Sequence, residues 1–320
     1  MFAIRISFAL WIALMLIACN APRVAPSPTS APTAQPSVAP TTAKTTLAIN
    51  TAPGATNRDV TYCAPDGIAQ KMDLLYPAKL KSDPAPIAMY VHGGGWTQGD
   101  KAKGAGSLDV RAILERGYVV ASINYRLAPQ HKWPSQIVDV KCAVRFLRAH
   151  AAQLKIAPNK IGVWGGSAGG HLVAMLGTTD ASAGFDVGEY LDQSSRVQAV
   201  VDLFGPADLP AMLSASARAT GQQIFGATSR DDPILVKASP ITYISKVDPP
   251  FLILQGDKDK VVPMEQSQIL HDKLKAGGVT STLVIVKNAG HGFAPDGGAI
   301  SPTRTELSKM IADFFDQHLR

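Results

Sequence analysis

A serine set among glycines is the residue of this 320-residue chain best suited to covalent chemistry. Ser167 lies at the centre of the sequence GGSAGG, which follows a strand-like stretch at 160–164. An abrupt turn from strand to helix explains the glycines, because a side chain at Gly165 or Gly169 would collide with its neighbours. The turn exposes the hydroxyl near a helix N-terminus, where negative charge is stabilised. The pattern predicts a nucleophilic serine, in preference to a phosphate-binding loop or a plain turn.

A run of three glycines offers backbone donors for the same chemistry. The sequence HGGGW at 92–96 follows a continuously apolar stretch at 87–91. Consecutive glycines let main-chain N–H groups point inward without steric cost, as a pair of donors for a developing oxyanion requires. By itself the triplet could be a flexible loop, but its position after a buried strand favours the oxyanion role. We interpret His92 as a residue that holds the loop rather than as a catalyst.

A serine hydroxyl needs a neighbouring base, because its own pKa leaves it protonated. His291, in the sequence NAGHGF, follows a strand-like stretch at 282–287 and is placed to serve as that base. A carboxylate bonded to the imidazole would fix its tautomer and stabilise the imidazolium. The order serine, then aspartate, then histidine along the chain is that of the α/β-hydrolases.

Three carboxylates compete for the acid position. Asp257 and Asp259 both lie in the sequence QGDKDKVVP at 255–263, after an apolar strand candidate. Asp257 falls in the tight turn, where a carboxylate accepts local backbone N–H bonds. Asp259 precedes two valines and a proline, whose apolar side chains should pin the loop against the sheet. We therefore prefer Asp259, with Asp208, after the sixth strand candidate, as a distant third choice.

Strand-like and helix-like stretches alternate after residue 57 and supply the elements that must position these loops. Such alternation predicts an α/β fold whose eight-stranded, mostly parallel sheet is flanked by helices, with an antiparallel edge formed by the first two strands. The looser stretch at 180–241 predicts a small insertion after the sixth strand. The strand candidates are residues 59–63, 70–75, 87–92, 118–124, 160–164, 197–204, 251–255 and 282–287, and the helix candidates are 105–115, 135–154, 168–179, 264–276 and 302–318.

The first residues have the composition of an export signal. Residues 1–18 combine one basic residue with an apolar run that is too short to span a bilayer and is typical of a secretory signal peptide. The run ends in LIAC, which resembles a bacterial lipobox with Cys19 as the lipidated residue. This predicts an exported protein, lipid-anchored at the bacterial cell envelope. Ordinary signal cleavage, with Cys19 incidental, is the alternative.

Residues 19–56 are rich in Ala, Pro, Thr and Ser. A segment with so few large apolar side chains cannot bury enough surface to offset its ordering entropy. It is therefore predicted to be a disordered tether between the anchor and a single domain at 57–320.

The charges and the remaining cysteines exclude several classes of protein. From residue 50 onward the chain has 28 basic and 25 acidic residues, a balance that gives no reason to expect a nucleic-acid partner. No metal-ligand spacing or dinucleotide glycine pattern is present, so no metal or cofactor is expected. Cys63 and Cys142 could form a disulfide in an exported protein. Their spacing alone cannot place them together, and we expect two buried thiols.

These motifs together resemble the α/β-hydrolase superfamily over nearly all of residues 57–320. HGGGW at 92–96, GDK at 99–101, NYRLAP at 124–129 and GGSAGG are similar to motifs of the bacterial feruloyl/acetyl-xylan-type esterases and the hormone-sensitive-lipase-like carboxylesterases. Lipase-like members carry Asp where this chain has Gly166 and have an N-terminal helical cap, so the first group is nearer. The resemblance implies a triad of Ser167, Asp259 and His291. It also implies oxyanion donors on Gly94, Gly95 and Ala168.

The function that the resemblance implies is hydrolysis of carboxylic esters through an acyl-enzyme intermediate. Short-chain, acetyl or feruloyl esters are the expected substrates, either as small molecules or linked to a polysaccharide. An exopeptidase or an arylformamidase-like amidase on the same scaffold is an alternative. A non-catalytic, surface-displayed binding module is a further alternative, but it predicts a degraded triad, whereas every position here is intact.

Replacement of Cys19 by serine is expected to release the protein from membranes. A serine side chain offers no thiol for acylation, so Cys19→Ser should incorporate no labelled palmitate. In Triton X-114 partitioning it should move to the aqueous phase. Equal labelling of the wild type and the variant would contradict the lipoprotein prediction.

Overall fold

The computed structural model describes residues 47–105, 107–213 and 218–320. The predicted signal peptide at 1–18, the lipidation site Cys19 and most of the predicted tether lie outside these ranges. Residues 47–56, which we assigned to the tether, are described, and Leu47, Ile49 and Ala55 pack against the buried core. The packed part of the chain therefore extends further toward the N-terminus than its composition predicts.

In the described part of the chain, eight strands form one sheet in the order β1-β2-β4-β3-β5-β6-β7-β8. The pairs β1–β2 and β2–β4 are antiparallel and all other pairs are parallel. The predicted fold class and its antiparallel edge are therefore confirmed. The strands are β1 Thr56–Cys63, β2 Gln70–Leu75, β3 Ala85–Val91, β4 Val119–Ile123, β5 Ile156–Gly166, β6 Ala199–Leu203, β7 Phe251–Gly256 and β8 Ser281–Val286.

Strand β3 shows why the central part of the sheet is apolar on both faces. Its residues Ile87, Met89 and Val91 belong to one buried cluster, whereas Ala88 belongs to another. Alternate residues of a strand point to opposite sides of the sheet. A strand covered on both sides is therefore expected to be mostly apolar on both faces, as the continuous run in the sequence predicts.

Helices cover both faces of this sheet. Buried apolar side chains of α2 and α9 belong to the cluster on one face, and those of α3, α4 and α8 to the cluster on the other. None of the helices in the described ranges is long and apolar enough to cross a membrane. The helices are α1 Ala102–Ala105, α2 Leu108–Glu115, α3 Ser135–Ala149, α4 Ala168–Thr178, α5 Leu209–Met212, α6 Arg218–Phe225, α7 Pro233–Lys237, α8 Met264–Ala276 and α9 Arg304–Leu319.

Three of these helices, α5, α6 and α7, lie between β6 and β7. They form the insertion that the sequence predicts after the sixth strand. Phe225 at the end of α6 and Leu235 in α7 are buried and join the larger core cluster. The insertion is therefore packed onto the domain through its own apolar side chains.

Cys63 and Cys142 form a disulfide, with their Cα atoms 6.5 Å apart. The expectation of two separate thiols is wrong, because the sheet places the end of β1 beside the middle of α3. The two residues are 79 positions apart in sequence, so only the folded topology brings them together. The bond fastens the antiparallel edge of the sheet to a helix that packs on it.

Asp202 is a fully buried acid in β6. Its Oδ1 accepts a hydrogen bond from the Gly205 N–H at 2.9 Å, and Oδ2 has no partner among the described residues. A Cβ added at Gly170, near the start of α4, would lie 2.3 Å from Oδ1. Burial raises the pKa of Asp202 to about 7, because the site offers the charged form too few hydrogen bonds.

Asp202→Asn is expected to flatten the pH dependence of stability. Between its ordinary pKa of 3.8 and about 7, the native carboxyl keeps a proton that the unfolded chain has released. The free energy of unfolding of the wild type should therefore fall as pH rises through this window, by up to about 1.4 kcal/mol per pH unit. Asparagine retains the acceptor for Gly205 and does not titrate. Urea unfolding between about pH 5 and pH 8 measures the difference, and parallel pH profiles would contradict the assignment.

Candidate active site

The three side chains expected to carry the chemistry follow three parallel strands at the same edge of the sheet. Ser167 comes directly after β5 and precedes α4, Asp259 follows β7, and His291 follows β8. Because the carboxyl ends of parallel strands share one edge, residues far apart in sequence meet there. The order of strands fixes which loops are neighbours.

The backbone of Ser167 adopts a left-handed conformation, with φ 58° and ψ −122°. Its N–H donates to the Leu203 carbonyl at 2.9 Å, which joins the turn to the end of β6. A Cβ added at Gly169 would lie 2.1 Å from the Val91 oxygen, and one at Gly165 would lie 2.6 Å from the Gly169 carbonyl. The collisions that the sequence predicts at these two glycines are thus present, and they involve backbone atoms that cannot move aside.

A chain of hydrogen bonds links the three side chains. His291 Nδ1 donates to Asp259 Oδ2 at 2.8 Å, because a carboxylate can only accept. Nε2 of the same ring then carries a lone pair and lies 3.0 Å from the hydroxyl oxygen of Ser167. The imidazole is therefore held in the tautomer that can take the proton of the serine.

Asp259 is the buried member of this chain, with a fully covered side chain, whereas the His291 side chain is 27% exposed. Burial by itself disfavours ionisation of the Asp259 carboxyl. Hydrogen bonds from His291 and from the N–H groups of Val262 and Val261 outweigh this effect and hold its pKa below the ordinary value. The two N–H groups bond Oδ1 at 2.9 and 2.8 Å, while Oδ2 faces the imidazole and also accepts a longer bond from the Gln255 side-chain amide at 3.4 Å.

The two competing carboxylates point elsewhere. Asp257 lies in the turn after β7 and accepts the N–H of Ala289 at 3.2 Å, so it links its loop to the loop that carries His291. Asp208 accepts the N–H of Ala211 at 3.1 Å and caps α5. The structure therefore brings Asp259, and neither alternative, to the imidazole.

The HGGG loop lies against the serine turn. A Cβ at Gly93 would be 2.6 Å from the Gly166 oxygen, and Gly94 and Gly95 have φ of +119° and +59°. Within the described ranges, the N–H groups of Gly94, Gly95 and Ala168 donate no hydrogen bond to another backbone carbonyl outside regular helices and strands. These N–H groups are thus available to a negatively charged oxygen beside Ser167.

His92 has a structural environment. Its ring is buried, stacks on Tyr125 at 4.3 Å between centroids and lies 2.8 Å from the Gly93 oxygen through Nδ1. Burial lowers the pKa of His92, so the ring is favoured in its uncharged form. These contacts agree with the interpretation that His92 holds the loop.

Phe204 is a site residue that the sequence analysis did not identify. Its ring meets the imidazole of His291 edge-on at 4.9 Å between centroids. A Cβ at Gly166 would lie 3.1 Å from the same ring, so a side chain at this position would press on Phe204. An aromatic residue directly after the sixth strand was the available signal, but only the fold shows that it covers the base.

The BD-FAE family model matches residues 72–274, more than half of the chain. The chain belongs to the BD-FAE family. The matched range contains the HGGG loop, Ser167 and Asp259, while His291 lies beyond it and is assigned by the hydrogen bond to Asp259.

Curated relatives of this BD-FAE member include two esterases of Mycobacterium tuberculosis (strain ATCC 25618 / H37Rv). Esterase LipC is 32% identical over 259 residues, which cover 77% of this chain and 62% of that protein. Esterase LipQ is 35% identical over 234 residues, which cover 72% of this chain and 53% of that protein. The chain thus spans less than two thirds of the length of these relatives.

Solved structures match over a larger share of their length. A truncated form of carbohydrate esterase from gut microbiota has a TM-score of 0.72 and 31% identity over 84% of this chain and 98% of that one. The butyrate-bound esterase Est2 of Thermogutta terrifontis has a TM-score of 0.67 and 27% identity over 82% and 93%. The α/β-hydrolase fold and the resemblance to serine esterases are therefore confirmed.

Asp259→Asn and Asp257→Asn form a matched pair that tests the acid of this family member. Asparagine at 259 removes the stabilisation of the imidazolium and can favour the wrong tautomer, a loss on the order of 10⁴-fold in a well-studied triad. Asparagine at 257 leaves the bond between Asp259 and His291 in place, so turnover should change little. It replaces a charged acceptor of the Ala289 N–H by a neutral one, so its main effect should be a loss of stability. Turnover of p-nitrophenyl acetate and thermal unfolding of both variants measure this. Inactivity of Asp257→Asn with near-normal Asp259→Asn would reverse the assignment.

Proposed function

We propose that the protein hydrolyses carboxylic esters through an acyl-enzyme intermediate. The observation that carries the proposal is the continuous hydrogen-bond chain from Asp259 through His291 to Ser167, at 2.8 and 3.0 Å. A serine so connected has an adjacent base to activate it. Family membership and the esterase names of the relatives support the same chemistry.

The mechanism begins with Ser167 attacking the ester carbonyl while His291 Nε2 takes its proton. The carbonyl oxygen becomes an oxyanion that the N–H groups of Gly94, Gly95 and Ala168 stabilise. The tetrahedral intermediate collapses, the C–O bond to the alcohol breaks, and the alcohol leaves with the proton from His291. Water then attacks the acyl carbon while His291 takes a proton from it. The bond between the acyl carbon and the serine oxygen breaks, His291 returns the proton to that oxygen, and the acid leaves with Ser167 restored.

We further propose short-chain, acetyl or feruloyl esters as substrates, carried on small molecules or on a polysaccharide. Two matched structures support this range, one described as a carbohydrate esterase and one as an esterase bound to butyrate. His291 is 27% exposed and Gly95 is exposed, so the catalytic edge is accessible to a bulky alcohol.

The proposed location is the bacterial cell envelope, with a lipid anchor on Cys19 and the residues between Cys19 and the packed domain as a tether. The signal-like composition of residues 1–18 and the LIAC sequence support export. The Cys63–Cys142 disulfide supports the same location, because such bonds persist in oxidising compartments.

Ser167→Ala is expected to abolish burst-phase acylation and to lower turnover by several orders of magnitude with the fold intact. Turnover is measured with p-nitrophenyl acetate, then with butyryl, feruloyl and long-chain esters and with aminoacyl and formanilide substrates. Ser182→Ala, in an exposed turn where the hydroxyl bonds only Asp180, is the matched control and should keep wild-type turnover.

Retention of more than about a tenth of the activity by Ser167→Ala would refute the serine mechanism. Faster turnover of aminoacyl or formanilide substrates than of every ester would replace the esterase proposal by an amidase. The ester that is cleaved with the highest kcat/KM identifies the acyl group.

A further inference from the structure

His171 is a second histidine beside the nucleophile, on the helix that Ser167 begins. Its N–H donates to the Ser167 carbonyl at 2.9 Å, so it lies one helical turn after the serine and three residues after Ala168. Its side chain is completely buried and faces away from the triad's hydrogen-bond chain. It precedes Asp259 along the chain, so it does not fit the order serine, aspartate, histidine and is not the general base. Its hydrogen bonds to Trp96 and Ala238 indicate a structural role.

The partners of His171 determine its proton arrangement. The indole N–H of Trp96 can only donate, so Nδ1 of His171 accepts from it at 3.2 Å. The Ala238 carbonyl can only accept, so Nε2 carries the proton and donates at 2.6 Å. Burial also lowers the pKa of His171, to about 4, which keeps the ring uncharged at neutral pH. Both ring nitrogens are therefore satisfied in one fixed tautomer.

Trp96 is the residue that follows the glycine triplet. Its own φ of +58° is unusual for a residue with a side chain, and it comes directly after Gly94 at +119° and Gly95 at +59°. Such a left-handed run costs energy and persists only where surrounding contacts hold it. Three contacts hold Trp96: its carbonyl accepts the N–H of Ala128 at 2.9 Å, its indole bonds His171, and its ring packs edge-to-face against Phe225 at 5.3 Å between centroids.

We propose that His171 is a positioning residue for the oxyanion hole, which rests on the ester hydrolysis proposed above. The Trp96–His171 bond joins the loop that supplies the N–H groups of Gly94 and Gly95 to the helix that supplies the N–H of Ala168. It thereby fixes the distance between the two sets of donors. The bond to Ala238, after α7, ties the insertion to the same point.

Trp96→Phe isolates the hydrogen bond, because phenylalanine keeps an aromatic ring and removes the indole N–H. Oxyanion contacts are made in the transition state, so their misplacement lowers kcat rather than raising KM. We expect kcat to fall about tenfold or more, with KM within about twofold. The inhibition constant of a phenylboronic acid, whose tetrahedral adduct carries the oxyanion, should rise by a similar factor.

His171→Asn and His171→Gln separate the two hydrogen bonds of the imidazole. The asparagine amide lies where Nδ1 lies and can still accept from Trp96, whereas the glutamine amide lies where Nε2 lies and can still donate to Ala238. Both variants lose the ring and should be similarly destabilised. The proposal requires a higher kcat for His171→Asn than for His171→Gln, by about fivefold or more.

Trp133→Phe is the control for aromatic packing, because Trp133 contacts His171 at 5.5 Å between centroids but lies outside the glycine loop. It should keep wild-type kcat even if its melting temperature falls. The proposal is overturned if Trp96→Phe leaves kcat within twofold of wild type, or if His171→Gln is at least as active as His171→Asn. A failure of the esterase proposal is distinguishable, because the wild type would then turn over no ester, or would prefer an amide substrate, or Ser167→Ala would remain active, whatever the His171 variants do.

Discussion

The constraint on which the site depends is the absence of side chains around the turn at Ser167. A strand passes into a helix within one residue there, and the backbone of β3 lies so close that only hydrogen fits at Gly169. Backbone packs directly on backbone, so steric contact restricts where the serine can lie relative to the HGGG loop. A serine with a positive φ costs on the order of 1–3 kcal/mol of conformational free energy, and the favourable packing of the surrounding sheet must offset this cost.

The loop after β6 completes this arrangement. The Leu203 carbonyl accepts the N–H of Ser167, and Phe204 lies over both Gly166 and His291. One loop thus supports Ser167 by its backbone and His291 by its side chain. Glycine at position 166 leaves space for the ring of Phe204, so the small residue and the aromatic residue depend on each other.

Local patterns in the sequence were sufficient for the eight strands, for the helices α2, α3, α4, α8 and α9, and for the three side chains of the candidate site. The short helices α1, α5, α6 and α7 were not predicted. The glycines around Ser167, the apolar run of β3 and the order of Asp259 before His291 each leave a short-range signal. The contacts of His171, the contact of Phe204 with His291 and the pairing of Cys63 with Cys142 leave none. These depend on which strands become neighbours, and a strand order such as β2-β4-β3-β5 is a property of the whole sheet. Residues 47–56 were misassigned for the same reason, since their few apolar side chains matter only once a core exists beside them.

The wide separation of the serine and the base along the chain has a consequence for the order of events in the cell. Ser167 and His291 are 124 residues apart, and β8 must pair with β7 before the imidazole can reach the hydroxyl. A nascent chain that has passed the serine turn, the glycine loop and even Asp259 still has no base. During synthesis at about 5–20 residues per second, the serine therefore exists for several seconds before it can be activated. A chain in which β8 has not yet paired with β7 therefore carries the serine turn without a competent site.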